Sequence, residues 1–273
     1  MSQVRKPAVA GYFYPADSSK LRDEIEVLLS ISEKKEIPGN LFGIVSPHAG
    51  YIYSGKTAAY GFNLLNKNKI KTVIIISPSH REYFPGVSVY EGDAYQTPLG
   101  TVPVNKKIAE SLTQESKIIF KGIEGHREEH AIEVQLPFLQ ILLDDFKIVP
   151  IVMGDQGKLY IDELADRISE TVDESTVVVS SSDLSHYYSS DIADRMDSIL
   201  ERDISNFDYN SLIENIGSRK CEACGAGTII ALMKSADKLN YRNSLVLHRS
   251  NSGDTTGDKK EVVGYLSAAI YGD

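Results

Sequence analysis

The sequence predicts an α/β fold: a single domain with a central, mainly parallel sheet flanked by helices. Three observations carry that prediction. Short apolar runs, mostly β-branched, occupy residues 42–47, 72–78 and 176–180, and read as strands covered on both faces. Segments with apolar residues at helical spacing lie between them, and such alternation favours a parallel sheet. No stretch rich in Gly, Ser or Pro divides the 273 residues, so one domain spanning 1–273 is the simplest organisation.

The elements follow in order. After the strand at 42–47 (FGIVSP), residues 54–65 carry small side chains on one helical face and Leu and Phe on the other. The strand at 72–78 comes next. Gly92, Pro98, Gly100 and Pro103 then break the alternation over 87–104 and point to a small hairpin insertion. Residues 131–143 have dense helical periodicity, with Pro137 marking a kink or a late start. Residues 146–152 (FKIVPIV) read as a fourth strand, whose Pro150 lacks a donor N–H and so predicts an edge, a bulge or the strand's end. Helices are expected over 159–171, 192–204 and 226–239, the last entered through Gly225, and a strand over 261–271.

Composition excludes several classes. The chain is 42% hydrophobic and 25% charged, with a net charge of -9 and no basic run. That argues against nucleic acid and against docking on an anionic membrane. The longest apolar runs are far too short to span a bilayer, and the N-terminus lacks the apolar core of a signal peptide. Two cysteines, Cys221 and Cys224, make no disulfide framework and imply the reducing cytoplasm.

Ligands of open α/β sheets bind beyond the carboxyl ends of the strands. His48, His80 and His186 all follow strand ends, and neutral imidazole is the commonest protein metal ligand. One such histidine is best read as a hydrogen-bonded loop residue; three in the same context point to a shared site. Asp183 is a candidate to orient His186, against the plainer reading of a turn or cap aspartate. Cys224 sits where a helix begins, which favours the thiolate, although an inert buried cysteine is the competing reading for it and more so for Cys221. The Cys221-x-x-Cys224 spacing lacks the context of a redox dithiol and the partner ligands of a structural zinc site. Glu129, His130 and Glu133 form a second polar cluster at a helix start. The Gly-x4-Gly-Lys-Thr spacing from Gly50 to Thr57 is literally met, but His48 and the tyrosines crowd it and no strand aspartate follows to hold magnesium. It ranks below the metal site.

Several long motifs appear in a fixed order. They are Arg5 through Pro15 (RKPAVAGYFYP), Ser46 through Gly55 (SPHAGYIYSG), Ser77 through His80, Glu129 through Pro137 (EHAIEVQLP), Ser182 through Tyr187 (SDLSHY), and Cys224-Gly225. In these the sequence resembles the Memo family over nearly its whole length. The resemblance implies the fold of class III extradiol ring-cleaving dioxygenases, which hold non-haem iron with two histidines and a glutamate. It implies His48, His80 and Cys224 as metal ligands, His186 as an acid/base group, and Glu129-His130 as the segment that supplies a further pocket histidine. Independently of the resemblance, Tyr51, Tyr53 and Tyr187 lie beside the histidines and are expected to line a substrate or peptide cleft with them. A thiolate in place of a carboxylate shifts the preference toward copper, zinc or differently tuned iron, so ring cleavage does not follow from the fold.

The resemblance further associates animal members with cell-motility signalling and phosphorylated peptides, and microbial members with a radical-SAM-type protein. The expectation is a metal-dependent redox enzyme using iron or copper on an unidentified small molecule or peptide. The alternatives are a non-catalytic binding module that keeps the pocket, and a zinc-dependent hydrolase at the same residues.

Overall fold

Val and Ile suit a pleated strand buried on both faces, and the runs rich in them form the centre of the sheet. The structure, a computed structural model, describes residues 3–273. It begins β1 (Val4–Arg5), α1 (Ser18–Ile31), β2 (Asn40–Ser46), α2 (Tyr51–Phe62), β3 (Thr72–Pro78), β4 (Val87–Tyr90), β5 (Ala94–Thr97) and β6 (Gly100–Pro103). It continues α3 (Lys106–Thr113), β7 (Ile119–Gly122), a 3-10 turn at Glu133–Gln135, α4 (Leu136–Leu142), β8 (Lys147–Met153), α5 (Lys158–Thr171), β9 (Thr176–Ser181) and β10 (His186–Tyr188). The last third holds α6 (Ser190–Ser205), α7 (Tyr209–Gly217), α8 (Ala226–Lys238), β11 (Asn243–Asn251), α9 (Gly253–Thr256) and β12 (Val262–Gly272).

The main sheet runs β10-β12-β2-β9-β3-β8-β4-β7, with β11 also paired to β12. Its centre, β2-β9-β3-β8, is parallel, and the antiparallel pairs flank it. Alternate residues of β3 serve opposite cores. Ile74 and Ile76 pack with α3, α5, α6, α7 and α8, while Val73 and Ile75 pack with α1, α2 and α4. The hairpin expected over 87–104 is β5–β6, which joins β1 in a separate three-stranded sheet, while β4 belongs to the main sheet.

Two local expectations change. Pro150 lies in an interior strand: it pairs with Ile75 of β3, while the β4 ladder on the other side stops at Ile151. The strand tolerates it because the pairing on that side has already lapsed. Helix α2 starts three residues earlier than expected, with Gly50 as its cap. Gly55 and Thr57 are therefore buried helical residues, and the Gly-Lys-Thr segment forms no phosphate cradle. Pro137 stands in the first turn of α4, so the proline marks a late start there.

The N-terminal segment is held by a buried ion pair. Arg5 bonds the Glu133 carboxylate, which also accepts the N–H groups of Ala8 (2.8 Å) and Val9 (3.1 Å) and the Tyr14 hydroxyl. Arg5 further donates to the carbonyls of His126 and Glu129 and lies 5.1 Å from the centre of the Tyr95 ring.

His126 is a core residue. Its Nε2–H donates to the Ser88 carbonyl at 3.1 Å, so Nδ1 accepts from the Tyr95 hydroxyl at 2.7 Å. Burial holds its pKa down at about 3, against an ordinary value of 6.5. The unfolded chain therefore takes up a proton below pH 6.5 that the folded chain refuses. The stability is whole above 6.5 and is lost as pH falls toward 3, at about 1.4 kcal/mol per pH unit. His126→Gln should lose about 2 kcal/mol less than the natural chain between pH 6.5 and 5, by urea denaturation. Equal losses would place the titration elsewhere.

Candidate metal centre

Strands β2, β9 and β3 are adjacent and parallel, so their carboxyl ends open side by side. His48 leaves β2, His80 leaves β3, and the segment carrying Asp183 and His186 leaves β9 between them. Cys224 arrives on the turn before α8. That turn presses close: a Cβ on Gly225 would stand 2.5 Å from the Ser181 carbonyl oxygen, so only glycine lets the thiol approach. The turn is held by Cys224 N–H on the Asp183 carbonyl (3.2 Å) and Gly225 N–H on Ser182 Oγ (2.9 Å).

The hydrogen bonds fix which nitrogen each histidine offers. Ser181 Oγ gives its one proton to the Ala131 carbonyl (2.7 Å) and accepts from Gln135 Nε2 (2.8 Å). It can only accept from His48 Nδ1, 2.9 Å away, so His48 carries its proton there. Its Nε2 lone pair then faces Cys224 Sγ at 3.2 Å. Glu129 Oε1 lies 2.9 Å from His80 Nδ1 and accepts its proton, which leaves His80 Nε2 free. His48, His80 and Cys224 offer donor atoms within 4.8 Å of one another. Ligands around one tetrahedral ion stand about 3.5 Å apart, so closing on a metal takes a shift of about an ångström. Two imidazole nitrogens and a thiolate fit a soft or borderline transition metal. His80, Glu129 and His130 form a second set within the same limit.

Burial, reinforced by the neighbouring His80, holds His48 well below its ordinary range, and burial with His48 nearby holds His130 at about 4. Both are neutral near pH 7. Burial pushes the Cys224 thiol up, with Asp183 adding to it. A bound cation inverts that balance and favours the thiolate. Burial also raises Asp183, against the hydrogen bond it accepts from the His48 N–H.

A cavity of about 750 Å³ opens over these groups, lined by His48, His80, His130, Asp183, His186, Tyr53 and Tyr187 among others. The residues expected around it divide. Tyr53, His130 and Tyr187 line it. Tyr51 does not: it is buried, donates to the Val134 carbonyl at 2.6 Å and packs on Tyr14 and Phe138. Glu129 stands behind His80, 1% exposed, and supports that ring rather than facing a substrate. Asp183 does not orient His186. It accepts the His48 N–H at 2.8 Å and places Oδ2 4.0 Å from His48 Nε2, while the His186 N–H goes to Glu222 at 2.9 Å. Among the described residues no hydrogen bond reaches the His186 ring. Ser181 and Gln135 carry a role the sequence reading gave them no part in. The one available signal was Gln135, a polar residue in the apolar run at 131–139.

A family model described as Memo-like protein matches residues 5–269. The chain belongs to the Memo-like family. A MEMO1 family protein of Thermoplasma volcanium is 40% identical over 267 residues, covering 97% of this chain and 97% of that protein. One from Thermotoga petrophila is 39% identical, covering 98% and 99%. The crystal structure of an uncharacterized protein from Escherichia coli K12 matches with a TM-score of 0.50 and 13% identity, over 77% of this chain and 88% of that one. It shares the fold with this Memo-like chain. Among the described residues no helix is long and apolar enough to cross a membrane.

Proposed function

We propose that this chain is a metal-dependent redox enzyme that holds iron or copper with His48, His80 and Cys224. The observation that supports this is the convergence of the three donors, with the free nitrogen of each histidine set by a hydrogen bond to a buried acceptor, Ser181 or Glu129. Such a metal supplies electron transfer and Lewis-acid chemistry at an open coordination position. The chain's own groups bind and orient. The Asp183 N–H lies 3.2 Å from the Cys224 sulfur and holds it in place. His130 Nδ1 is buried and makes no well-formed hydrogen bond, although Glu129 Oε1 lies 3.2 Å away, and the neutral ring faces the cavity beside the donors, placed to contact a ligand there. His186 presents its ring to the same cavity as a proton donor or acceptor for the substrate.

Anaerobic purification followed by elemental analysis tests the assignment. About one iron or copper per chain is expected, and almost none in the His48→Ala, His80→Ala double variant. Equal metal in both proteins would show the site to be misplaced. The same donors suit zinc, so zinc in that sample together with ester or amide cleavage would instead favour a hydrolase. Absence of oxygen consumption across aromatic and thiol substrates, with tight ligand binding in the cavity, would favour a binding module.

A further inference from the structure

The floor of the cavity holds His48 and His80, two of the three candidate metal donors, but its mouth has a different chemistry. Tyr12, Tyr53 and Tyr187 stand there, with exposures of 89%, 41% and 73%. Large aromatic side chains left this open need a reason, and three around one opening make a shared surface. Asp258 and Glu261 line the same mouth, both exposed. Among the described residues neither carboxylate is in an ion pair, although the neighbouring Lys259 is tied to Asp254. No Lys or Arg is among the described residues lining the cavity.

The backbone adds an independent observation. Tyr187 has φ of +64°, a left-handed conformation that a tyrosine adopts at a cost. It is the extra residue of a β-bulge: His186 pairs with Val263 and Tyr188 with Val262, leaving Tyr187 with no partner in β12. Bulges beside active sites re-aim side chains, and this one turns Tyr187 onto the mouth.

Asp258 Oδ1 accepts the Lys260 N–H at 2.9 Å, but its charge, like that of Glu261, is not balanced by an ion pair, and electron-rich ring faces and such carboxylates attract the same kind of group. We propose that the mouth selects ligands bearing an organic cation, an alkylammonium or guanidinium group received by Tyr12, Tyr53 and Tyr187 and balanced by Asp258 and Glu261. The inference rests on the reading of this cavity as the substrate site, with the remainder of the ligand reaching down toward the metal donors. A phosphorylated group at the mouth would meet two carboxylates and no basic side chain.

The test compares 2-phenylethylammonium with 3-phenylpropionate, which share a ring and differ in charge, by calorimetry on the full chain before and after metal removal. The ammonium probe should bind about ten-fold tighter at low salt, and less selectively at high salt. Asp258→Asn with Glu261→Gln, both at exposed positions, should cut the preference to about two-fold. Tyr187→Gly, which suits the left-handed backbone, should weaken the ammonium probe about five-fold. Equal affinity, tighter binding of the carboxylate or of phenyl phosphate, no saturation by the ammonium probe up to about 10 mM, or an unchanged preference in the charge variant would each overturn the proposal. Metal content measured on the same samples scores the metal reading separately, so a failure of one is not read as a failure of the other.

Discussion

Replacing Glu133 by alanine is expected to lower the unfolding free energy by about 3–5 kcal/mol. Glu133 is fully buried, and its carboxylate is the shared acceptor for Arg5, the Ala8 and Val9 N–H groups and the Tyr14 hydroxyl. Truncation takes the only carboxylate from a buried guanidinium and the acceptor from the Val9 N–H and the Tyr14 hydroxyl, all three on buried residues. For a chain of this size the midpoint of thermal unfolding should fall by about 5–9 °C. The double variant Arg5→Met, Glu133→Leu should be less destabilised than Glu133→Ala, because no charge is left buried alone. A Glu133→Ala chain that unfolds like the natural one would show that the pair contributes nothing. The effect reaches the site as well, because Arg5 also grips the carbonyls of His126 and Glu129, at either end of the loop that brings Glu129 behind His80.

That network explains why so much of the site's position could be read from the sequence and so little of its support. The β-branched runs at 72–78 and 176–180 have one physical use, a strand buried on both faces, and strand-end position then placed His48 and His80 together. The residues that aim those rings are ordinary polar residues in the linear chain. Ser181 merely follows the expected strand at 176–180, Glu133 reads as part of a polar cluster at a helix start, and Gln135 stands out only as a polar residue in an apolar run. All three are buried because partners distant in sequence satisfy them. Tyr51 shows the converse. Beside His48 in sequence, it looked like a cavity residue, but its place in the first turn of α2 turns it toward Tyr14 and Phe138. Tyr187 was expected at the cavity, yet the bulge that puts it there depends on the register with β12, which no local pattern encodes.

Glu129→Gln should weaken metal binding by about 10–100-fold while leaving the three donor side chains intact. Oε1 of Glu129 accepts from His80 Nδ1 (2.9 Å), the His130 N–H (2.9 Å) and the Ala131 N–H (3.0 Å), and Oε2 accepts from the His80 N–H (2.7 Å). A carboxylate can satisfy four donors; an amide has one oxygen and brings an NH2 that must face a donor on one side or the other. Either the His80 main chain shifts or the ring gives up its Nδ1–H contact, and both disturb the nitrogen that His80 offers at the proposed metal site. Burial alone would raise this carboxyl, but the His80 hydrogen bonds and the nearby imidazoles hold it at about 2, below the ordinary 4.5. Its contribution is therefore complete above about pH 4.5 and lost only as pH falls toward 2. Chelator competition at pH 6 and at pH 8 should give the same fold loss in the variant, since the natural chain is ionised at Glu129 at both. A loss present at only one of these pH values would assign the effect to another titrating group, and unchanged affinity at both would leave His80 oriented by something other than Glu129.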